Sequence, residues 1–485
     1  MRSKHMKDSN WIKRLAVGTL AALMLVSAVS CGNGGEDTDT QAATKAENET
    51  GEESAYDTVA KQKYNREFGI VTRKGIEDDF KVDKITGDVL DDAVYERNVT
   101  VAEDFGITFS YEIKDNYDEV NQLITTQAGS NLDEYDLYIG QKQSYKSCVQ
   151  NGYLYDLMTI DALDLDKVYW DQAFNNAMNV EDKAFVATGD ISPFSMRITS
   201  CLTFNKKMLN DRQIAYPYAL VDNGAWTMDE MLAMTTDVTN KDLGEDAAVY
   251  GFTCWTMDVP FSLFYGTGGM FVSLNEDKLP ELTYKNEDVI NRYEKIYKLI
   301  VEQKAYHATD ASNYDKVYEI FMDGRAMFCD LSLSKIASTF GEMEDYGIVP
   351  VPKYDRHQDE YLSFVNGAVS LTMVSKAEKD PEFVGAIMEA MAAYNYDKVT
   401  PNMYESVVKL KAARDPDSPR MVDYILRYRI FDFAYMADLD ISNLVQQQLT
   451  SGNPSISSKL SAGARRNAEN ALNRIIRDLQ KERTA

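Results

Sequence analysis

Apolar and polar positions alternate with two different periods near the start of the folded region. Residues 107–113 (ITFSYEI) alternate residue by residue, as a strand does, while the apolar positions of residues 92–105 share one helical face. Gly106 stands where a helix-ending glycine is expected. The elements predicted in this way are strand 68–72, helix 92–105, strand 107–113, helix 117–129 and strand 135–140. Strands that alternate with helices at this spacing predict a parallel sheet covered by helices.

Local signals place further elements along the chain. Thr227 followed by Glu230 is a capping box, so a helix should begin there. Gly324 should turn the chain between a helix and a strand, and the pair at 380–381 (Asp-Pro) should begin another helix. Residues 457–481 carry apolar side chains on one face and predict a closing helix.

A series of short motifs across residues 136–390 resembles one family. In order they are DLYIGQKQSYKSCVQNGYLYD at 136–156, KAFVA at 183–187, LTFNKKML at 202–209, AWTMDEML at 225–232, YGF at 250–252, GG at 268–269, FMDGRAM at 321–327, YGIVPVP at 346–352 and SKAEKDP at 375–381. The series is similar to that of extracellular solute-binding proteins of family 1, the maltose-binding-protein-like lipoproteins that serve bacterial ABC importers. The proline that this family carries after the strand at 183–187 is absent.

The resemblance implies an α/β, two-lobed periplasmic-binding-protein fold of type II. Each lobe would be a sheet flanked by helices, and a hinge of several strands would join the lobes. We expect the chain to cross between lobes near residues 190–198, 364–368 and 403–411. The first lobe would comprise residues 61–190 and 367–405, and the second residues 198–363 and 410–485.

The N-terminus has the features of an exported lipoprotein. A basic start and an uncharged run from 15 to 30 predict a signal peptide over residues 1–30. Cys31 follows small residues, as in the bacterial lipobox, although Ala28 replaces the usual leucine. Residues 31–60 hold almost no bulky apolar side chains, so we expect the lipidated Cys31 and a flexible acidic tether. A plain cleaved signal or an uncleaved anchor is the alternative.

Charge and composition narrow the function. A formal net charge of −26 disfavours nucleic acid as a partner. The four cysteines after Cys31 are scattered, and the three histidines of the chain do not suggest a metal site. Sequence signatures of hydrolases, nucleotide-binding loops and calcium loops are absent, so we expect no catalytic residues, no metal and no cofactor.

Candidate ligand contacts are aromatic and polar residues near predicted strand ends and crossings, because sugars stack on aromatic rings and bind planar polar groups. They are Gln141, Gln143, Tyr145, Asp190, Arg197, Trp255, Asp258, Asp330, Asn366, Phe431, Asp432 and Tyr435. For Trp255, a place in the core of the second lobe is an equal alternative. For residues 431–435, packing between helices is an equal alternative to ligand contact. Residues 141–145 could be a solvated helix start. Asp190 and Arg197 could instead form a hinge salt bridge.

These features predict a non-enzymatic, monomeric binder of a small solute. It would hold a solute, most simply an oligosaccharide, between the lobes for ABC permease subunits. Its acylated Cys31 would anchor it in the lipid bilayer at the outer face of the bacterial cell membrane. The residues leave two alternatives open. One is a surface enzyme that acts on glycans, and the other is an interaction or sensory protein that keeps the fold.

Overall fold

A computed structural model describes residues 54–309, 313–339, 346–412 and 415–481. The predicted signal peptide, Cys31 and residues 32–53 of the predicted tether lie outside the described residues. Within the described part of the chain, no helix is both long and apolar enough to cross a membrane.

The chain alternates strands and helices throughout. The strands are β1 (Arg66–Arg73), β2 (Ile107–Lys114), β3 (Leu137–Gly140), β4 (Ser200–Asn205), β5 (Tyr250–Trp255), β6 (Val272–Leu274), β7 (Pro280–Leu282), β8 (Tyr306–Ala308), β9 (Ala326–Ser332), β10 (Tyr346–Val349), β11 (Ser363–Phe364), β12 (Leu371–Met373) and β13 (Arg429–Ile430). The α-helices are α1 (Val89–Phe105), α2 (Tyr117–Gly129), α3 (Lys142–Ser144), α4 (Gln172–Met178), α5 (Phe194–Arg197), α6 (Lys206–Asp211), α7 (Tyr218–Asp222), α8 (Met228–Thr235), α9 (Val259–Gly266), α10 (Asn286–Tyr297), α11 (Tyr314–Met322), α12 (Leu333–Thr339), α13 (Pro381–Tyr394), α14 (Thr400–Ala412), α15 (Ser418–Arg427), α16 (Phe433–Met436), α17 (Leu444–Thr450) and α18 (Ala462–Gln480). Single π-helical turns occupy Tyr145–Val149, Lys298–Glu302 and Asn395–Val399.

The first lobe is built on a four-stranded sheet in the order β12-β3-β1-β2. β1 pairs in parallel with β2 and β3, as the sequence predicts, and β12 joins antiparallel to β3. Helix α1 begins at Val89, three residues before the predicted start, because the Asp88 carboxylate caps its first turn. Gly106 ends the helix with a φ of 62°, the left-handed conformation that glycine adopts freely.

The second lobe is built on a five-stranded sheet in the order β10-β4-β9-β5-β8. β9, β5 and β8 run parallel, and β4 is antiparallel to both of its neighbours. The predicted turn at Gly324 is confirmed, with a φ of 74° between α11 and β9. Thr227 caps α8 by accepting from the Glu230 amide at 3.4 Å, which confirms the predicted helix start.

Several segments connect the two lobes. β-Bridges join Ala187 to Thr372 and Thr199 to Val365, which places two passages of the chain side by side. The third passage is helical. Val399 packs with α1 of the first lobe, whereas Met403 belongs to the apolar cluster of the second lobe. This passage begins earlier than the predicted span of 403–411, because a π-helical turn lets α13 run on into α14. The lobe boundaries themselves stay a prediction.

The predicted tether is too long at its C-terminal end. Residues 54–60 pack on the first lobe, where the Ser54 hydroxyl and the Tyr56 amide donate to Asp397 at 2.6 and 2.9 Å. The Tyr56 ring is buried against Tyr394, with ring centroids 5.2 Å apart. An aromatic ring that can reach an apolar surface offsets the entropy of ordering this short stretch.

Candidate functional site

The crossings meet the carboxyl edges of both sheets. Leu371, the first residue of β12, pairs with Gly140, the last residue of β3. In the second lobe Ser200, the first residue of β4, pairs with Ser332 at the end of β9. The passages at 187–199 and 365–371 therefore join the ends of strands where open α/β sheets bind ligands. We take this junction as the candidate site.

An aromatic pair lies at the second-lobe side of the junction. Trp255 ends β5, is half-buried, and meets Tyr314 edge to face with ring centroids 4.6 Å apart. The Lys335 ammonium lies 5.0 Å from the centroid of the Tyr314 ring. Trp255 Nε1 is buried and has no hydrogen-bond partner among the described residues. Trp255 packs against the edge of an apolar cluster of the second lobe, and its predicted contact with a ligand stays a prediction.

Two predicted residues from distant parts of the sequence lie together. Asn366 Nδ2 donates to Asp258 Oδ1 at 2.7 Å, and the Asn366 amide donates to the Ile198 carbonyl at 3.4 Å. Burial raises the pKa of Asp258 to about 6, although the hydrogen bond from Asn366 opposes the rise. A carboxylate and an amide in contact offer an acceptor and a donor that could face one polar ligand.

Asp190 and Arg197 do not form the hinge salt bridge predicted as an alternative. Arg197 Nη2 lies 2.7 Å from Asp79 Oδ1, and Asp190 accepts from the Thr400 hydroxyl at 2.5 Å. Burial raises the pKa of Asp190 to about 7, with Arg429 opposing the rise. The prediction was wrong about the partners, because it could pair only residues that are close in sequence.

Two predicted acidic contacts are buried inside the second lobe. Asp330 accepts from the Ser262 hydroxyl at 2.8 Å, and burial raises its pKa to about 8. Asp432 caps α16 and accepts from the Ala434 amide at 2.6 Å and from the Phe271 amide at 2.6 Å. Both placements favour a structural role.

The predicted residues after β3 separate in the structure. Gln141 is buried, and its amide donates to the Ser144 hydroxyl at 3.0 Å. Gln143 is exposed at the same helical turn. Tyr145 is buried and packs edge to face on Phe433, with ring centroids 5.8 Å apart. Only Gln143 keeps a side chain open to solvent.

The remaining aromatic candidates fill an interface between the lobes. Phe431 is buried edge to face against Phe174 at 5.2 Å. The Tyr435 hydroxyl accepts from the Gly367 amide at 3.0 Å, and the Lys142 ammonium lies 4.2 Å from its ring centroid. Both Phe431 and Tyr435 are packed against other side chains, as the alternative of helix packing for residues 431–435 predicted.

Sequence reasoning missed part of the junction. Arg73 ends β1 and Glu77 follows it, so the rule that chose the residues after β3 would also have chosen these two. Tyr314 carries no such signal, because it begins a helix after a loop. Buried polar atoms there without a described partner include Arg73 Nε, Arg197 Nε, Glu77 Oε2 and Thr199 Oγ1. The arginine nitrogens and Trp255 Nε1 are donors, Glu77 Oε2 is an acceptor, and the Thr199 hydroxyl can be either.

Metal binding has no obvious support in the described part of the chain, where no cluster of three or more histidine, cysteine or acidic side chains is placed to hold an ion.

Comparisons with known proteins give a family by its profile and a fold by similar solved structures. A family profile described as "Bacterial extracellular solute-binding protein" matches residues 99–394. An ABC substrate-binding protein from Listeria monocytogenes in complex with cycloalternan is 13% identical, with a TM-score of 0.54 over 85% of this chain and 99% of that one. The GacH receptor of Streptomyces glaucescens, solved unliganded and with acarbose, is 18% identical, with a TM-score of 0.54 over 85% of this chain and 100% of that one. A solute-binding protein from Thermotoga lettingae with α-D-tagatose is 13% identical, with a TM-score of 0.52 over 84% and 100%. No curated protein matches.

Proposed function

The chain belongs to the bacterial extracellular solute-binding protein family, and from this we propose that it captures an oligosaccharide between its lobes and delivers it to an ABC importer. Membership of an extracellular family places the protein outside the cytoplasm. The observation that carries the choice of ligand is the half-buried Trp255–Tyr314 pair at the end of a second-lobe strand. A sugar ring presents an apolar face to an aromatic ring and hydroxyls that both donate and accept.

The charges around the junction favour a neutral sugar. Arg73 and Arg197 are opposed by the carboxylates of Glu77, Asp78 and Asp79, and the second-lobe side adds Lys335 and Asp258 in equal number. No excess of positive charge is left to neutralise an anionic ligand. Three similar structures are complexes with cycloalternan, with acarbose and with α-D-tagatose.

Tryptophan fluorescence gives a direct test. Trp170 and Trp226 are buried, so a ligand that reaches the junction should change the emission of Trp255 alone among the described tryptophans. The full chain with Cys31→Ser would be titrated with acarbose, cyclic and linear gluco-oligosaccharides, tagatose, amino acids and dipeptides. We expect one carbohydrate class to change the emission and to raise the melting temperature.

Two variants of Trp255 separate stacking from hydrogen bonding. Trp255→Ala should weaken carbohydrate binding by up to about tenfold, since an aromatic contact contributes about 0.5–1.5 kcal/mol. Trp255→Phe keeps an aromatic face and should weaken it less, as followed by calorimetry. Binding of amino acids or dipeptides without any carbohydrate would overturn the choice of ligand. Release of products from a glycan would favour the enzymatic alternative.

We further propose that acylated Cys31 anchors the chain to the membrane. Support comes from the lipobox-like residues that end at Cys31 and from membership of an extracellular family. Two acyl chains give stable anchoring, so Cys31→Ser should move the protein from the membrane fraction to the soluble fraction. A membrane-bound Cys31→Ser variant would contradict this proposal.

A further inference from the structure

Arg97 is a fully buried cation near the crossings. No ion pair joins it to a described carboxylate. Its guanidinium donates instead to the carbonyls of Asp79 and Phe80 at 3.0 and 3.3 Å, and to Asn395 Oδ1 at 3.2 Å. The Asn98 side chain accepts from Nε and Nη2 at 3.1 and 2.8 Å. Burying a cation is unfavourable unless all of its donors are satisfied, so the position of the 79–80 loop is held closely.

The carboxylate on that loop binds the first crossing. Asp79 accepts from the Ser192 hydroxyl at 2.5 Å, the Phe194 amide at 2.7 Å and Arg197 Nη2 at 2.7 Å. Asp79 is itself buried, with 2% of its surface exposed. Three donors from one six-residue stretch fix both the direction of α5 and the orientation of the Arg197 guanidinium.

The same polar cluster reaches the other two crossings. The Ser192 hydroxyl lies 2.9 Å from the hydroxyl of Ser370, in the second crossing. Asn395 Nδ2 donates to the Asp190 carbonyl at 2.7 Å, and Thr400 donates to the Asp190 carboxylate, so the third crossing is tied to the first. All three passages are therefore bound to the first lobe through buried hydrogen bonds.

We infer that Arg97 and Asp79 clamp the three crossings to the first lobe and thereby position Arg197 at the ligand site. When the lobes move, the chain bends only on the second-lobe side of the clamp, at residues 198–199, 365–366 and 401–403. Arg97 does not reach the junction, so it is a positioning residue that acts through Asp79. The inference rests on the proposed function only in taking the lobe movement to serve ligand capture.

Lobe movement can be measured without a ligand. Spin labels on Cys residues introduced at the exposed positions Thr126 in α2 and Glu294 in α10 report the distance between lobes. The four cysteines of the described chain are buried, and Cys31→Ser in the full chain leaves no other site to label. The variants are Asp79→Asn, which weakens the pair with Arg197, and Arg97→Lys, which keeps the charge but loses most of the donors.

The matched control is Asp415→Asn, because Asp415 is a buried carboxylate that accepts from the Ser418 hydroxyl at 3.0 Å and lies 2.9 Å from Lys206, within the second lobe. We expect the distance distribution of the ligand-free chain to broaden or shift in Asp79→Asn and Arg97→Lys and to stay unchanged in Asp415→Asn. Without these hydrogen bonds the crossings can move relative to the first lobe, so the range of distances between the lobes should widen. A purely structural role would lower the melting temperature and leave the distribution as in the control.

Unchanged distributions in Asp79→Asn and Arg97→Lys would overturn the inference. If Asp79→Asn does not fold, Ser192→Ala carries the same test, since it removes one donor to Asp79 and the link to Ser370. Acarbose serves as the probe of affinity, and Asp79→Asn should bind it about tenfold more weakly. If the wild-type chain bound no carbohydrate, the proposed function would fail while the ligand-free distances still decided the inference.

Discussion

Gly367 lies where both lobes meet the second crossing, and a single methyl group there should loosen the contact. Its amide donates to Tyr435 of the second lobe at 3.0 Å, and its carbonyl accepts from the Lys142 amide of the first lobe at 2.8 Å. A Cβ at this position would stand 2.9 Å from Lys142 Cδ and 2.9 Å from Tyr435 Oη, closer than ordinary van der Waals contact. Gly367→Ala must therefore displace one side chain or the other.

The magnitude follows from what the displacement breaks. The Tyr435 ring is held by Phe261 and Phe364, with centroids 4.9 and 5.0 Å away, so it cannot move without disturbing packing. Overpacking costs about 1–3 kcal/mol, and the lost hydrogen bond adds about 1 kcal/mol. The interaction of Lys142 with the ring adds roughly 0.5–1 kcal/mol. Reduced freedom of the unfolded chain offsets about 0.4–1 kcal/mol. We expect Gly367→Ala to lower the free energy of unfolding by about 2–4 kcal/mol.

Urea denaturation followed by circular dichroism measures the effect as a lower midpoint at an unchanged slope. Gly129→Ala is the matched control, because a Cβ at Gly129 meets nothing within 4 Å, and it should be neutral or slightly stabilising. Tyr435→Phe removes one of the two close contacts, so Gly367→Ala should destabilise less in that background. If Gly367→Ala were as stable as Gly129→Ala, the reasoning about this junction would be refuted.

Three further predictions concern buried charge and buried thiols. Burial raises the pKa of Asp330 to about 8, so the folded state keeps a proton that the unfolded state loses near pH 4, and stability falls as pH rises between these values. The melting temperature of Asp330→Asn relative to that of the wild type should therefore increase from pH 5 to pH 8. A constant difference between the two melting temperatures would contradict this. Arg429→Met leaves the buried Asp171 without the cation now 2.5 Å away and should cost about 3–5 kcal/mol in urea denaturation, whereas Lys207→Met at an exposed pair should cost under about 1 kcal/mol. In a chain with Cys31→Ser, a thiol reagent should modify none of the remaining cysteines before unfolding and all of them afterwards; fast reaction of the native protein would show that burial does not protect the thiols. They are Cys148, Cys201, Cys254 and Cys329.

Local sequence patterns predicted much of the fold because they act over a few residues. The alternation at 107–113 gave β2, and the glycines at 106 and 324 end helices in the left-handed conformation that other residues avoid. The helix beginning at Pro381 is also confirmed, with Asp380 accepting from the amide of Phe383 at 3.3 Å. The closing helix begins at Ala462 rather than 457, because Ser461 provides the cap. Such features depend on backbone geometry that is read directly from the residue type.

The site could be predicted only in part, because it depends on contacts between distant residues. Trp255 and Asp258 were predicted from their place after a strand, and Asn366, 108 positions from Asp258, from its place in a crossing. The structure brings Asp258 and Asn366 into contact, and their role in binding a ligand stays a prediction. The same reasoning also chose Asp330, whose carboxylate lies in the interior because Ser262 is there to donate to it. A polar residue in a strand gives the same sequence signal whether its side chain faces the cleft or the core. Only tertiary packing decides between the two.

Arg197 shows how the clamp and the site work together. One of its nitrogens is bound by Asp79, while its Nε is buried without a described partner, as are those of Arg73 and Trp255. Around the clamp, by contrast, Arg97 and Asp79 each have several hydrogen-bond partners, so any slip there would leave buried polar groups unsatisfied. Saturated polar groups thus fix the pivot, whereas the Arg197 side chain keeps one buried donor without a described partner. A ligand whose hydroxyls satisfy both sides of the junction would favour the closed arrangement, whereas a ligand that reaches one side would bind without shifting the lobes.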